Sequence, residues 1–217
     1  MSSTVQGTAL LGDRLQISMH SEPLRDAAMD MDMDMDIDID MEQYVAVFHD
    51  WIRQSAIGGL LIDVASYTHV PNGPGVLLIG HEFDYGVRIA LGRVELTCRH
   101  KRDPGGEGNA LKRCLRQLLQ AAQLLQSASQ LSEPPSFRAS GFVFRSNDRL
   151  VCPNNPELGS HVTQTVGRLF CKVLGLQNLD VASVGSEREA LTLIIQRPPT
   201  LGEPESVAGA MRRLNAA

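Results

Sequence analysis

Four side chains able to take up or release a proton lie close together in the first half of the sequence. His81, Glu82 and Asp84 fall within four consecutive positions, and Asp63 belongs to a neighbouring predicted strand. A histidine beside carboxylates suits general acid–base catalysis, because the unperturbed imidazole pKa lies close to neutrality. The candidate catalytic residues are therefore Asp63, His81, Glu82 and Asp84.

The same stretch also permits two other interpretations. The sequence from His81 begins like the zinc motif H-E-x-x-H, but Tyr85 occupies the position of the second histidine, and the surrounding pattern is strand and turn rather than helix. We therefore predict neither a metal site nor a cofactor. Side chains of this kind also serve as hydrogen-bonding groups in tight connections, which remains the structural alternative.

A second group of residues is basic and has the chemistry of an anion site. A short basic run at 99–102 precedes a glycine-rich stretch at 103–108, which leads into the start of a predicted helix. Unpaired N–H groups and the helix dipole at such a start favour phosphate or carboxylate. The alternative is a solvated connection between a hairpin and a helix, because no G-K-[ST] follows the glycines. The candidate anion-binding residues are Arg99, Lys101, Arg102, Lys112 and Arg113.

The charges of the chain are unevenly distributed. The whole chain of 217 residues has 20 Lys and Arg against 25 Asp and Glu, but residues 1–42 alone have a net charge of −8. Methionine or isoleucine alternates with aspartate through 29–41. A calcium loop is disfavoured, because Met35 and Met41 stand where glycine and glutamate are required. We predict that residues 1–42 form a disordered, acidic, low-complexity head, and a start of translation near Met41 is a further hypothesis.

Hydrophobic periodicity supplies the elements that position these residues. It predicts helices at 43–56, 109–130 and 155–174, and strands at 60–67, 76–79, 85–91, 94–98, 137–145, 149–152, 179–184 and 190–196. So many adjacent strands exclude a doubly wound parallel fold. We predict a single α+β domain over 43–197, with a mostly antiparallel or mixed β-sheet covered by about three helices. Residues 198–217 are predicted to be a flexible tail, with a short helix at 205–214 as the alternative.

Two short segments resemble an uncharacterised family of bacterial, including cyanobacterial, proteins. The first segment is His69–Tyr85, with the pattern HVPxGPGVxLIGHExDY, and the second is Asn147–Asn154, with the pattern NDRLxxPN. The resemblance covers about residues 45–175. It supports the limits of the domain, and it implies no activity and no catalytic residue, because the family has none established.

Composition limits the classes of function that remain. The four cysteines form no C-x-x-C pair, and the longest apolar run is far shorter than a membrane helix requires, so we expect a cytoplasmic protein with reduced thiols. A net charge of only +3 over 43–217 disfavours nucleic acid as a partner. The leading hypothesis is a non-catalytic binding or assembly module that engages a protein partner or itself. The alternative is a small enzyme or ligand-binding domain, acid–base or metal-assisted, centred on the His81-Glu82-x-Asp84 turn.

Overall fold

The structure is a computed structural model, and it describes residues 11, 14–24, 40–71, 73–101, 109–198 and 200–216. Its helices are α1 Glu42–Gln54, α2 Ala110–Gln126, α3 Pro156–Leu174 and α4 Val207–Ala216. Its strands are β1 Leu15–His20, β2 Leu61–Tyr67, β3 Gly75–Gly80, β4 Phe83–Ala90, β5 Arg93–His100, β6 Arg138–Ala139, β7 Gly141–Ser146, β8 Asp180–Val184, β9 Thr192–Gln196 and β10 Glu205–Ser206.

The predicted α+β class with a mostly antiparallel sheet in a single domain is confirmed. Eight strands form one sheet in the order β2-β3-β4-β5-β1-β7-β9-β8, and every neighbouring pair is antiparallel. β6 and β10 form a separate two-stranded pair. The described part of the chain contains four helices rather than the predicted three or so.

The prediction of a disordered head is wrong for residues 14–24. Strand β1 lies in the middle of the sheet, between β5 and β7, and Leu15, Ile17 and Met19 are all fully buried. These three alternate with polar residues and so form the apolar face of a strand. The error came from averaging charge over the whole of 1–42, because most of its acids lie outside 14–24. The Met/Asp alternation at 29–41, which carried the low-complexity prediction, lies outside the described residues except for 40 and 41.

The predicted flexible tail is also corrected. Residues 207–216 form α4, which packs against α2 and α3. Val207, Ala210 and Leu214 are buried, at a spacing that puts them on one side of the helix. The helix that was considered as an alternative at 205–214 is therefore present, and the domain extends well past residue 197.

Helices α1, α2 and α3 lie against the same face of the sheet, and α4 packs on α2 and α3. Cys114 of α2 contacts the carbonyl of Cys98 on β5, and the Tyr85 hydroxyl on β4 donates a hydrogen bond to Gln117 of α2. At the other end of the sheet, the ring of Phe142 on β7 packs against a phenylalanine of α3 at 4.9 Å between centroids. α1 packs on β2 and β3, and its buried residues are Tyr44, Val47, Phe48 and Trp51.

Local sequence signals explain where the two long helices begin and end. Asn109 and Asn155 cap α2 and α3, and each side chain accepts a hydrogen bond from the backbone N–H three residues later. Pro156 follows the second cap, where its missing N–H costs nothing. Gly175 ends α3 with a φ of 67°, a left-handed conformation that glycine adopts without strain.

Burial of Tyr44 predicts a loss of stability at alkaline pH. Burial raises the pKa of Tyr44 from 10.0 to about 12. A raised folded-state pKa means that the stabilisation is complete below pH 10 and is lost as the pH rises towards 12. We expect the free energy of unfolding to fall by about 2 kcal/mol more in the wild type than in Tyr44→Phe between pH 9 and pH 12. Urea titrations of both proteins measure this difference, and equal losses would contradict the assignment.

Candidate functional site

The sheet face opposite the helices, which we call the open face, is covered by none of the four described helices. One row of side chains crosses all eight strands on this face without a single charge, and we call it the uncharged row. It consists of Ala65, Leu77, Gly86, Thr97, Ser18, Val143, Ile194 and Ala182, in the order of the strands. Strands lie about 4.8 Å apart, so the uncharged row is about 34 Å long.

The middle of the uncharged row is recessed. Ser18 is only 2% exposed and Gly86 is buried, although no described helix lies over either residue. Leu77, Gly86 and Thr97 of the row line a cavity of about 440 Å³, together with longer side chains from the neighbouring rows and the connection at Gly73 and Pro74. This volume lies within the range of small-ligand sites.

One wall of the recess depends on a glycine. Gly75 begins β3 with a φ of +72°, and a Cβ atom there would lie 2.1 Å from the carbonyl oxygen of Val87. Any other residue would force β3 away from β4, because both the φ angle and the space exclude a side chain. Gly75 thus lets the connection before it approach the open face closely.

A charged row flanks the uncharged row on one side, and a buried carboxylate organises it. Asp84 is 4% exposed and accepts hydrogen bonds from Arg99 at 2.5 and 3.2 Å and from the Gly80 N–H at 3.2 Å. The Lys101 ammonium lies 2.7 Å from the other carboxylate oxygen. One carboxylate therefore contacts two cations. A carboxylate is normally buried only when it is paired and hydrogen-bonded, as Asp84 is.

The row on the other side contains a second ion pair. Arg88 contacts the Glu95 carboxylate at 2.5 Å through both Nε and Nη2, and Glu95 is 8% exposed. The His20 imidazole lies 4.0 Å from the same carboxylate. The fork geometry of the contact fixes the guanidinium while leaving part of it in solvent.

The predicted catalytic residues do not converge on one cavity. Asp84 lines the 440 Å³ cavity of the open face, whereas Glu82 pairs with Arg113 of α2 and lines a separate cavity of about 100 Å³. His81 donates its backbone N–H to a carbonyl, and Asp63 is exposed on β2, with β3 between it and Asp84. The two carboxylates nearest to His81 are each engaged in ion pairs, so they are poorly placed to act together on one substrate.

The predicted anion cluster is divided between the two sides of the sheet. Arg99 and Lys101 lie on the open face with Asp84, whereas Arg113 pairs with Glu82 and stacks 5.6 Å from the centre of the Phe83 ring. The backbone N–H of Lys112 bonds to the N-cap side chain at the start of α2. Arg102 lies outside the described residues. The acids and bases that the sequence suggested as two separate sites are therefore partners in the same ion pairs.

Several residues of the open face were not predicted to belong to a site. Arg88, Glu95 and Thr97 alternate with the apolar residues of β4 and β5, and this alternation placed them on the polar face without assigning them a role. Gln16 was missed because β1 itself was not predicted. Arg145 is next to Gln16 in register on β7, so its place beside the site also depends on β1.

The cysteines provide a direct test of the packing. Cys98, Cys114 and Cys152 are fully buried, and only Cys171 is partly accessible. Burial raises the pKa of the Cys98 thiol well above its ordinary value, which further lowers its reactivity.

We expect one thiol of the native chain to react rapidly with a disulfide reagent, and all four to react after unfolding. Absorbance of the released thiolate measures both numbers. Cys171→Ser is the control, because it should remove the rapid phase alone. Two or more rapid thiols in the native protein would contradict the described burial.

Within the described ranges, no three His, Cys, Asp or Glu side chains are grouped so that they could hold a metal ion. No helix in that part of the chain has the length and apolar character needed to cross a membrane.

Comparisons with known proteins identify no relative of this chain: no family model, curated protein or solved structure matches it. The resemblance carried by residues 69–85 and 147–154 therefore stays a prediction.

Proposed function

We propose that the protein is a non-catalytic binding module, and that its open face holds an elongated segment of a partner polypeptide along the uncharged row. The observation that carries this proposal is the continuity of the uncharged row across all eight strands, with no described helix over it. Antiparallel sheets commonly leave one face to solvent, and the residues of that face are then mostly polar. Here the centre of the face is uncharged and recessed.

The distribution of charge around the row supports an interface. Arg88 and Glu95 flank its middle on one side, and Asp84 and Arg99 flank it on the other. An uncharged centre with a polar, charged rim is the usual anatomy of protein interfaces. The recess favours a narrow segment over a second flat sheet, because only a narrow segment enters the cavity and reaches Gly86.

The same contacts argue against a catalytic role for this face. Its two buried acids, Asp84 and Glu95, are each bonded to arginine, so neither is available as a general base without first losing its partner. A protein partner, rather than nucleic acid or a membrane, and a cytoplasmic location belong to the same proposal.

A peptide-display library tests the proposal. Peptides of about ten residues span the uncharged row when extended, and peptides selected on the wild-type protein are then measured against variants. Thr97→Glu puts a charged carboxylate in the middle of the row, and we expect it to weaken binding about tenfold or more. Gln164→Glu, on the exposed side of α3, is the matched control and should bind like the wild type.

A second variant separates blocked binding from misfolding. Ala182 is exposed at the end of the row on β8, so Ala182→Glu should fold normally and weaken only peptides that extend to that end. Failure of any peptide to be enriched, or equal binding to wild type and Thr97→Glu with both proteins folded, would contradict the proposal.

A further inference from the structure

We infer that the partner segment is acidic, and that Arg99 and Arg145, on either side of Gln16, bind its carboxylates. The inference rests on the proposed function, because it names the chemistry of the segment that the open face would hold.

The register of the strands places these residues in one line. Arg99 on β5 is opposite Gln16 on β1, and Gln16 is opposite Arg145 on β7. The two arginines are thus two strands apart, with Cα atoms separated by about 10 Å. Both line the 440 Å³ cavity, together with Gln16 and Thr97. An acidic group above Gln16 would lie within reach of both guanidinium groups.

The charges of this part of the open face do not balance. Arg88, Arg99, Lys101 and Arg145 are the cations, and Asp84 and Glu95 are the buried acids that the first three contact. These four cations therefore exceed the two buried acids by two positive charges, and the exposed carboxylate of Glu189 lies close enough to Arg145 for their charges to interact. Coulomb attraction over a concave surface raises the local concentration of an anionic partner.

Two of the arginines are already held in position. The bonds from Arg99 to Asp84 use Nε and Nη2, and those from Arg88 to Glu95 use the same two nitrogens. The side chains nevertheless remain 48% and 42% exposed. A guanidinium has five donors, so each arginine keeps further N–H groups for a ligand while its orientation is fixed. This reduces the conformational entropy that the arginine side chains lose when a ligand binds.

Arg145 completes the site from the other side. It is exposed, and its described hydrogen bond is to the Thr192 hydroxyl at 3.3 Å. Among the described residues no carboxylate forms an ion pair with it within 4.0 Å. Glu189 is the acid whose titration it influences: hydrogen bonds from Ser186 lower the pKa of Glu189, and the charge of Arg145 adds to that effect. Arg145 is thus the cation of the open face that can best accept a new partner.

Carboxylates on a polypeptide fit this arrangement better than a free anion does. A guanidinium matches the two oxygens of a carboxylate, and the uncharged row beside the arginines offers contacts to aliphatic side chains. An extended segment with alternating acidic and aliphatic residues presents both kinds of group. The acidic groups would meet the arginines, and the aliphatic groups would lie on the row.

The test uses the full chain and a peptide of about ten residues that alternates aspartate and leucine. The control peptide has asparagine in place of aspartate. We expect the acidic peptide to bind about tenfold tighter by fluorescence anisotropy, and we expect Arg145→Gln to weaken it about fivefold. Arg168→Gln, an exposed arginine on α3, is the matched control and should leave binding unchanged.

The possible failures are distinguishable. Equal binding of the two peptides, unaffected by Arg145→Gln but lost in Thr97→Glu, would overturn the inference and leave the proposed function standing. No binding of either peptide in any variant, together with a display library that fails, would overturn both. Binding of inorganic phosphate that depends on Arg145, without binding of the acidic peptide, would assign the site to a free anion and overturn the inference.

A last variant tests whether the acidic run of the same chain binds the open face. The six aspartates at even positions from 30 to 40 are replaced by asparagine. On the inference, the acidic peptide binds this variant as it binds the wild type. Binding that becomes about tenfold tighter would mean that the acidic run of the same chain competes for the arginines, and would overturn the assignment to a partner segment.

Discussion

Replacement of Ile17 by alanine is expected to lower the free energy of unfolding by about 3 kcal/mol. The Ile17 side chain is fully buried, and its neighbours in register are Cys98 on β5 and Phe144 on β7. Removing three carbons from this position leaves a cavity that the flanking strands cannot close. Urea denaturation measures the change.

Gln16→Ala is the matched control for this prediction. Gln16 is the preceding residue of the same strand, but it points to the open face and is only partly buried. We expect its replacement to change the free energy of unfolding by less than about 0.5 kcal/mol. A similarly small effect of Ile17→Ala would mean that residues 15–20 are not the central strand.

The second large effect is expected for Asp84→Asn. The amide keeps the size of the side chain but removes the charge that Arg99 and Lys101 contact, and it leaves the two cations close to each other. Breaking a fully buried pair costs about 3–5 kcal/mol. Because Arg99 and Lys101 are 48% and 26% exposed, solvent reduces this cost, and we expect a loss of about 2 kcal/mol.

Asp63→Asn provides the comparison. Asp63 lies in the same row as Asp84, with Ile79 between them, but it is exposed and contacts only its neighbouring backbone N–H. Its replacement should leave the free energy of unfolding within about 0.5 kcal/mol of the wild type. Equal effects of the two substitutions in thermal or urea denaturation would contradict the role of Asp84 as the organising acid of the open face.

Much of the fold follows from short-range patterns. The alternation in β4 and β5 sets which residues face the helices, and the caps at Asn109 and Asn155 mark where two helices begin. Such signals depend on a few neighbouring residues, so the sequence alone reveals them. They predicted the α+β class and, in β4 and β5, which residues face the helices.

Long-range pairing was not accessible in the same way. Nothing local indicates that β1 inserts between β5 and β7, because this depends on contacts between residues about eighty and about one hundred and thirty positions apart. The strand predicted at 149–152 is a turn in the structure, closed by a hydrogen bond from the Cys152 N–H to the Asp148 carbonyl. A short apolar stretch of this kind does not separate strand from turn.

The candidate site shows the same limit. The sequence placed Arg99 and Asp84 in different sites, because they are fifteen residues apart, whereas the hairpin of β4 and β5 brings them into direct contact. The position of Gln16 between Arg99 and Arg145 depends on β1, which was missed. The uncharged row could be assembled only from the complete register of all eight strands.

The most direct test of the open face as the binding surface is backbone amide NMR of the full chain during titration with a display-selected peptide. We expect the largest shifts on Thr97, Ser18 and Val143, in the middle of the uncharged row, while the exposed amides of α3 and α4 stay unchanged. Shifts concentrated on the helices, with the uncharged row unaffected, would contradict the open face as the binding surface.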